Sequence, residues 1–311
     1  MIKITKDINE ANMITHTGSF HPDDVFSTSF LSKIIENPTV IRVPNIETEY
    51  EGKIVYDIGF GKFDHHGSDA RFRTTPHEKI KYCSFGLLWE EYSIIYLKKI
   101  INEDIDYQKL SNNIIEKYIL QIDAIDNGLF PKIEAEYNLT DLDKVIDLFN
   151  KNWNEDVDND NNFITAVNTA SLILERIVKR EAGLLVASKI VEEKINTVEN
   201  NILFLDEYIP YQEAIFKSTN ELAKTIKIVI FPSNRGGYNI KPMTISQKSK
   251  ELVVNFPKSL WGLHDEELAT ASNIPNARFI HLSGFLAATD TLEAAYELAK
   301  LALNNNEEKT E

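Results

Sequence analysis

Cysteine is almost absent from this sequence. Cys83 is the single cysteine among 311 residues, so no disulfide can form within the chain. A chain without disulfides is typical of a reducing compartment. The N-terminus also lacks a basic segment followed by an apolar one, and no signal peptide is expected. These absences together predict a cytoplasmic protein.

Long hydrophobic runs are missing as well. No apolar stretch approaches the roughly 18 residues that suggest a membrane span, so no membrane partner is expected. Hydrophobic residues nevertheless make up 43% of the 311 residues. A chain of this length can bury a large core and is expected to form more than one domain, because single cores stop growing near this size.

Positively charged residues are also few relative to negatively charged ones. Thirty-three Lys and Arg residues stand against 48 Asp and Glu residues, which gives a formal net charge of −15. With this excess of negative charge, we do not expect strong, sequence-independent binding of duplex nucleic acid. A short anionic substrate that binds through divalent cations is compatible with this net charge, because bound cations dominate the local electric field.

Strand-like and helix-like patterns alternate over the first 130 residues. Residues 23–35 carry a helical apolar stripe, and residues 39–43 and 53–58 are β-branched runs typical of buried parallel strands. A first strand is expected to end at residues 13–15, and further helices are expected at 85–101 and 114–125. The alternation predicts an α/β domain over residues 1–160, with a parallel sheet flanked by helices and ligands at the carboxyl ends of the strands.

The rest of the chain has a different pattern. Residues 151–162 are polar and acidic; they resemble a calcium loop but lack its glycine and glutamate, so a solvated insertion is expected. Continuous helical periodicity predicts a helical connector over residues 161–200. Short β-rich runs predict a smaller α+β domain over 201–303, followed by a disordered tail at 304–311. Its strands are expected at 201–208, 226–231, 238–245, 252–256 and 277–282, and its last helix at 291–303.

Histidines and aspartates are concentrated in two segments. Five of the seven histidines precede residue 80, and four of these lie beside aspartates in residues 16–24 and 57–66. Imidazole and carboxylate are the ligands of catalytic Mn²⁺, Mg²⁺ or Zn²⁺. An isolated histidine is more often a packed or solvated side chain than a ligand. Two such clusters at predicted strand ends are harder to explain structurally, because burying these groups without a metal is costly. The clusters therefore predict a metal centre.

Several motifs resemble known families. The run Asp64-His65-His66, with Asp57 upstream at a strand end, resembles the DHH phosphoesterase superfamily, which includes family II inorganic pyrophosphatases, RecJ-type exonucleases and small-nucleotide phosphodiesterases. Four further segments resemble the family of melanocyte-proliferating-gene-like hydrolases and occur in the same order as in that family. They are residues 15–23, 122–128, 261–268 and 279–285. The resemblance covers nearly the whole chain and implies a DHH-type N-terminal domain.

The resemblance also implies two Mn²⁺ or Mg²⁺ ions in each active site. The implied metal ligands are His16, His21, Asp23, Asp57, His65 and Asp126. Asp57 would bridge the two ions, and His21 stands where many relatives have aspartate. His66 and Asp64 would serve catalysis, His66 by touching the phosphate or orienting water. Asp126 is chosen over Asp123 because a small residue and a glycine follow it, and Asp123 is either a ligand or a supporting carboxylate.

Two further features each have two interpretations. Asp24 is either a ligand or a cap of the helix that follows it. Residues 84–86 open a predicted helix, whose backbone N–H groups are candidates for holding a phosphate or simply begin the helix. Cys83 is expected to be a small buried hydrophobe, because two-metal hydrolysis requires no covalent nucleophile.

The C-terminal domain would supply substrate contacts. His281, Ser283 and Gly284 resemble the phosphate-facing loop of DHH-associated domains, and Arg235 is a candidate for added positive charge. Packing at a strand end and solvation in a turn are the alternative interpretations of His281 and Arg235. Residues 287–293 lack the glycine pair and the basic residues that the family resemblance leads one to expect, which disfavours tight binding of polynucleotides.

Trp261 and Tyr238 are either base-stacking residues or parts of the core.

We therefore expect a metal-dependent phosphodiesterase or exonuclease that acts on RNA or short oligonucleotides through two-metal activation of water. One alternative is hydrolysis of a small phosphate compound such as a dinucleotide, a nucleoside phosphate or pyrophosphate, which the acidic charge favours. The other is a non-catalytic metal-binding scaffold. The expected partners are short RNA, oligonucleotides or small phosphate esters, and homo-oligomer formation is left open.

Overall fold

The computed structural model describes residues 2–46, 50–68 and 70–307. The chain divides into two compact units, Met1–Gly183 and Leu184–Glu311. Each unit contains its own sheet and helices, so the chain has a mixed α/β fold. Among the described helices, none has both the length and the apolar character that crossing a bilayer requires.

A parallel sheet of four strands organises the first unit. Its strands are β1 (Lys3–Ile4), β2 (Met13–His16), β3 (Thr39–Val43) and β4 (Ile54–Val55), in the order β1-β3-β2-β4. The predicted parallel sheet is confirmed, with one short strand before the predicted first strand. Because the strands are parallel, their carboxyl ends meet at one edge; β2 ends there with His16, and Asp57 follows β4 by two residues.

Helices flank this sheet. They are α1 (Pro22–Ile34), α2 (Ser84–Ile100), α3 (Tyr107–Ile114), α4 (Leu120–Asp126), α5 (Leu142–Asp147) and α6 (Asn159–Ile195), with a π-helical turn at Ile115–Ile119 between α3 and α4. Helix α1 begins at Pro22, which suits the first turn because its missing N–H is not needed there. The carboxylate of Asp24 accepts a hydrogen bond from the His21 amide at 2.8 Å and so closes the start of the helix.

Aromatic side chains fill the space between α1 and α2. The ring of Phe30 stacks on Tyr96 with the centroids 4.8 Å apart, and it lies 5.4 Å from Trp89. Phe85 packs against the same cluster, and all four side chains are fully buried. Burial of one phenylalanine contributes roughly 1.5–3 kcal/mol. This packing fixes the N-terminus of α1, where two of the candidate carboxylates lie, against the N-terminus of α2.

A mixed sheet of five strands organises the second unit. Its strands are β5 (Ile202–Phe204), β6 (Ile228–Pro232), β7 (Tyr238–Pro242), β8 (Ala277–Ile280) and β9 (Ala287–Thr289), in the order β5-β6-β7-β9-β8. The β5–β6 pair is parallel, and the other pairs are antiparallel. Its helices are α7 (Gln212–Lys217), α8 (Asp265–Ser272) and α9 (Leu292–Glu307), with 3₁₀ turns at Glu221–Thr225 and Lys258–Leu260. Small apolar residues of α9 pack on one face of this sheet.

Several predicted elements differ from those in the structure. Residues 252–256 do not form a strand: Leu252 makes only an isolated bridge, although Val254 and Phe256 are buried in the core. Their apolar pattern came from burial alone, not from strand pairing. The predicted strand at 53–58 is reduced to β4, because Asp57 adopts a left-handed conformation with φ +56°.

The long helix and the final helix also depart from their predicted limits. Helix α6 begins at Asn159, inside the segment predicted to be a solvated insertion, and it continues as one helix to Ile195. Helix α9 ends at Glu307, four residues beyond the predicted end at residue 303. Residues 308–311 of the predicted tail lie outside the described residues. Helix α5 and strand β9 are found where no element was predicted.

The turn between β6 and β7 allows a direct test of this sheet. A Cβ added to Gly237 would lie 2.0 Å from the carbonyl oxygen of Thr289 in β9, whereas one added to Gly236 would meet nothing within 4 Å. Both glycines have positive φ, so alanine at either position is disfavoured by about 1–2 kcal/mol. We expect Gly237→Ala to be destabilised by a further ~1–3 kcal/mol through the clash, measured as the shift of the urea unfolding midpoint. Equal midpoints for the two variants would contradict the β7–β9 pairing.

Candidate metal centre

Strand β2 ends with His16 and places it at the carboxyl edge of the sheet. The ring nitrogen Nδ1 of His16 lies 3.0 Å from the carbonyl oxygen of Thr17. Its other nitrogen, Nε2, lies 3.3 Å from carboxylate oxygens of both Asp24 and Asp57. The ring of His21 lies 5.8 Å from that of His16. A backbone carbonyl on one nitrogen selects the tautomer that presents the other nitrogen to a metal.

Asp57 occupies the middle of the cluster. Its backbone amide donates to the Phe63 carbonyl at 3.0 Å, which holds the left-handed conformation that aspartate tolerates better than most residues. One carboxylate oxygen lies 3.3 Å from His16 Nε2, and the other lies 3.3 Å from His65 Nε2. The side chain is 2% exposed, and its Oδ1 atom has no hydrogen-bond partner. Asp57 therefore joins the two histidines.

His65 faces three carboxylates. Its Nε2 atom lies 3.1 Å from Asp126, 3.3 Å from Asp57 and 3.7 Å from Asp23. Its Nδ1 atom lies 3.3 Å from the side-chain oxygen of Asn127. The Asn127 amide group in turn donates to the carbonyls of Asp123 and Lys81. Asn127 was not singled out from the sequence, although it follows Asp126 directly; its contact with His65 depends on the tertiary structure.

Asp23 is anchored by the N-terminus of α2. Its two carboxylate oxygens accept hydrogen bonds from the backbone amides of Ser84, at 2.9 Å, and Phe85. These amides are therefore occupied, and they do not offer the free phosphate contact that residues 84–86 suggested. The negative carboxylate suits the positive end of the helix dipole. The helix start serves the cluster by fixing one of its carboxylates.

Asp123 and Asp126 have clearly different surroundings. Asp123 is buried, pairs with the Nε and Nη2 atoms of Arg73, and accepts a hydrogen bond from the Cys83 amide at 2.9 Å. Asp126 instead faces His65, and its buried Oδ2 atom has no hydrogen-bond partner. The structure thus places Asp126 in the cluster, while Asp123 supports the fold around it.

The remaining acidic residues support their neighbours. Asp64 accepts hydrogen bonds from the amides of Phe60, at 2.6 Å, and His66, at 3.0 Å, and its Oδ1 lies 2.7 Å from Nδ1 of the His66 ring. These contacts orient His66, whose side chain is 55% exposed. The catalytic role predicted for Asp64 stays a prediction. Asp24 caps α1 and also faces His16, so both of its interpretations have structural support.

Three groups of side chains could each hold a metal ion, since their ligand atoms lie within 4.8 Å of one another. The groups, among the described residues, are His16 with His21 and Asp57, Asp57 with His65 and His66, and Asp23 with His65 and Asp126. All six ligands predicted from the sequence are present in these groups, together with His66. Two residues, Asp57 and His65, each belong to two groups, so the groups form one continuous cluster.

The charge of the cluster is strongly unbalanced. Burial raises the pKa of Asp24 to about 7, and burial together with repulsion from Asp57 and Asp126 raises the pKa of Asp23 well above its ordinary value. Burial alone would lower the pKa of His16 and of His65, but the neighbouring carboxylates outweigh it and raise each to about 9. Without a bound cation, the protonated rings of His16 and His65 therefore offset part of the negative charge of the carboxylates.

This arrangement suits a divalent cation. One buried carboxylate oxygen of each of Asp24, Asp57 and Asp126 faces a histidine nitrogen at 3.1–3.3 Å without forming a well-aligned hydrogen bond. An unpartnered buried polar group costs about 1–3 kcal/mol, and more when it is charged. A divalent ion would partner these oxygens and replace the protons on the two histidines. The donor set of imidazole and carboxylate fits Mn²⁺, Mg²⁺ or Zn²⁺.

The predicted substrate-binding residues lie in the second unit. His281 and Ser283 form one tight turn, in which the Ser283 amide donates to His281 Nδ1 at 3.1 Å and the serine hydroxyl lies 2.9 Å from the same atom. Gly284 lies against the ring of Trp261, where a Cβ would approach within 2.5 Å. Arg235 is exposed in the β6–β7 turn. Their role in substrate binding stays a prediction.

Comparison with known proteins gives the family. The model of the uncharacterised protein family UPF0160 matches residues 12–303. The MYG1 protein of Saccharomyces cerevisiae is 28% identical over 319 residues, which cover 93% of this chain and 94% of the yeast protein. The MYG1 exonucleases of Rattus norvegicus and Homo sapiens are 26% and 25% identical over 318 residues, which cover 93% of this chain and 84% and 85% of those proteins. No solved structure matches the chain. Because the family model matches almost the whole chain, the protein belongs to the uncharacterised family UPF0160, the MYG1 family.

Proposed function

We propose that this chain is a metal-dependent phosphoester hydrolase that cleaves short RNA or other oligonucleotides, acting from an end. The observation that carries the proposal is Asp57, a buried carboxylate whose two oxygens lie 3.3 Å from ring nitrogens of His16 and His65. Relatives in rat and human are named exonucleases, which supports a nucleic-acid substrate and an attack on phosphate esters. The same residues support membership of the DHH phosphoesterase superfamily.

The six ligands divide between two ion positions that share Asp57. His16 and His21 would hold one Mn²⁺ or Mg²⁺ ion, and Asp23, His65 and Asp126 would hold the other. Bound divalent ions would supply an activated water and neutralise the charge on the leaving oxygen. This assignment uses all six predicted ligands, which come from two of the three groups, and leaves His66 of the third group for the substrate.

The chain's own residues position the reactants. Asp64 holds Nδ1 of the His66 ring, which leaves Nε2 available to a phosphate oxygen or to water. The exposure of His66 fits a residue that meets substrate. Asn127 holds His65 through Nδ1, so that Nε2 is directed at the carboxylates. The surrounding burial keeps bulk water from the carboxylates and strengthens their interaction with cations.

The net charge of −15 favours a short substrate, because an acidic surface repels a long polyanion. The same observation supports a second candidate function, hydrolysis of a small phosphate compound such as a dinucleotide or pyrophosphate. The turn at His281, Ser283 and Gly284 and the exposed Arg235 are proposed to contact the substrate. We also keep a cytoplasmic location as a proposal, based on the single cysteine.

Cleavage of a labelled oligoribonucleotide with Mn²⁺ tests this function. We expect the wild-type chain to release nucleotides, and Asp57→Asn and His65→Ala to lower the rate by at least about 100-fold, because each removes a ligand of the shared centre. Asparagine tolerates the left-handed backbone at position 57, so that change tests the carboxylate and not the turn. The control is His77→Ala, since His77 pairs with Glu116 away from the three ligand groups.

Absence of cleavage by the wild-type chain, or full activity of Asp57→Asn, would refute the nuclease proposal. Parallel assays of phosphate or nucleotide released from dinucleotides and pyrophosphate separate the second candidate function. A chain that binds Mn²⁺ but hydrolyses none of these substrates would instead be a metal-binding scaffold.

Asp123 and Asp126 allow a matched comparison between a carboxylate that stabilises the fold and a proposed metal ligand. We expect Asp126→Asn to weaken Mn²⁺ binding while leaving the melting temperature in chelator unchanged or higher, because repulsion with Asp57 is reduced. Asp123→Asn leaves the buried Arg73 without its charged partner and is expected to lower the free energy of unfolding by about 3–5 kcal/mol. Calorimetric Mn²⁺ titration and thermal unfolding in chelator measure the two effects. The reversed pattern would show that Asp123 is the ligand.

Metal binding is expected to stabilise the folded chain. A ligand that binds only the native state contributes about 2.7 kcal/mol when its concentration is 100 times its dissociation constant. Saturating Mn²⁺ should therefore raise the melting temperature by several degrees, and chelator should reverse the increase. A scan of Asp57→Asn under the same conditions should show a much smaller rise. An unchanged melting temperature for the wild-type chain in millimolar Mn²⁺ would argue against a metal centre.

A further inference from the structure

The loop that carries His16 and His21 is held by side chains from outside it. Three of its backbone carbonyls, those of His16, Gly18 and Phe20, accept hydrogen bonds from side chains remote in sequence. The carbonyl of Gly18 accepts two such bonds. These hydrogen bonds lie along the backbone between His16, the last residue of β2, and His21, the residue before α1, which are two candidate metal ligands.

Arg42, in β3, supplies the first set of contacts. Its side chain is 1% exposed, and its guanidinium donates to the carbonyl of His16 at 3.1 Å and to that of Gly18 at 2.8 Å. A third donor nitrogen lies 3.0 Å from Asp160, at the start of α6. The guanidinium also lies 4.6 Å from the centroid of the Phe163 ring. The planar guanidinium thus connects the loop to α6.

Two asparagines near the start of α6 supply the second set. Asn150 accepts a hydrogen bond from the Phe20 amide at 3.0 Å and donates to the Phe20 carbonyl at 2.8 Å, so both backbone groups of the residue before His21 are engaged. Asn159 donates to the Gly18 carbonyl at 2.9 Å and to Asn150 at 3.3 Å. These contacts fix the backbone on both sides of residue 19.

The contacts reach only part of the cluster. His16 and His21 belong to the ligand group that also contains Asp57. The other group, Asp23 with His65 and Asp126, is held by different partners: the α2 amides for Asp23 and Asn127 for His65. Loosening the loop should therefore affect one ion position far more than the other.

We propose that Asn150 and Asn159 are positioning residues that set the spacing of His16 and His21 and thereby the affinity of one of the two metal positions. The inference rests on the proposed two-metal function and deepens it. Asn159 lies within residues 151–162, whose acidic character predicted only a solvated insertion, and Asn150 directly precedes them; both are on this view supports of the metal centre. Asn150 acts through the Phe20 peptide and is not itself a ligand.

The test compares Asn150→Ala with Asn152→Ala. Asn152 lies two residues away, is exposed, and bonds through its backbone amide to Glu155, so it undergoes the same chemical change without a contact to the loop. Calorimetric titration with Mn²⁺ gives the two affinities of each purified full-length variant. Electron paramagnetic resonance separately detects the spin coupling of two neighbouring Mn²⁺ ions.

We expect Asn150→Ala to weaken one Mn²⁺ affinity by about 10–100-fold, the usual effect of removing a residue that orients a ligand, and to change the other by less than about twofold. At subsaturating Mn²⁺ the spin-coupled signal should give way to that of an isolated ion. Asn159→Ala should act in the same direction, and Asn152→Ala should match the wild-type chain.

Equal weakening of both affinities, or none, would overturn the inference. If Asn150→Ala does not fold by circular dichroism, Asn159→Ala replaces it under the same criterion, because it removes the donor to the Gly18 carbonyl without adding charge. A wild-type chain that binds no Mn²⁺ would refute the proposed function itself, and that outcome is distinct from a failure of the positioning role.

Discussion

The structure of the first unit depends on one electrostatic constraint: three buried aspartates and the partly buried Asp126 lie close together around two histidines. Asp23, Asp24, Asp57 and Asp126 cannot all be ionised in a buried site without compensating positive charge. In the chain alone, His16 and His65 supply part of this charge, as their raised pKa values show. A divalent cation supplies more charge and more coordination, so the same arrangement is poised to take up metal and release protons.

The surrounding fold keeps these carboxylates in place by giving most of them a defined partner. Asp23 is held by the amides of α2, and Asp24 by the amide at the start of α1. Asp57 is held through its left-handed backbone. Each partner is a rigid backbone group, so the carboxylates do not need to be reorganised when a ligand binds. The aromatic packing between α1 and α2 fixes two of these supports relative to each other.

Much of the fold and of the cluster could be predicted from local patterns. The parallel strand β3 and the helices α1 and α2 follow from apolar periodicity, because each buries one clear face or run. Residues 252–256 show the limit of that reasoning: Val254 is apolar because it is buried, although no strand forms there. The early start of α6 was missed because Asp160 looks solvated in sequence but pairs with Arg42 in the structure.

The sequence by itself determined which side chains are available for a metal centre. The two groups of histidines and aspartates could be recognised because they lie beside predicted strand ends, which parallel strands bring to one edge. The choice of His16, His21, Asp57 and His65 as ligands within those groups came from the family resemblance. Only the tertiary structure separated the surroundings of Asp123 and Asp126, because Asp123 pairs with Arg73, which lies about fifty residues away in the chain and beside it in space. The same holds for Asp64 and Asn150, whose hydrogen bonds to His66 and Phe20 are not specified by any local pattern.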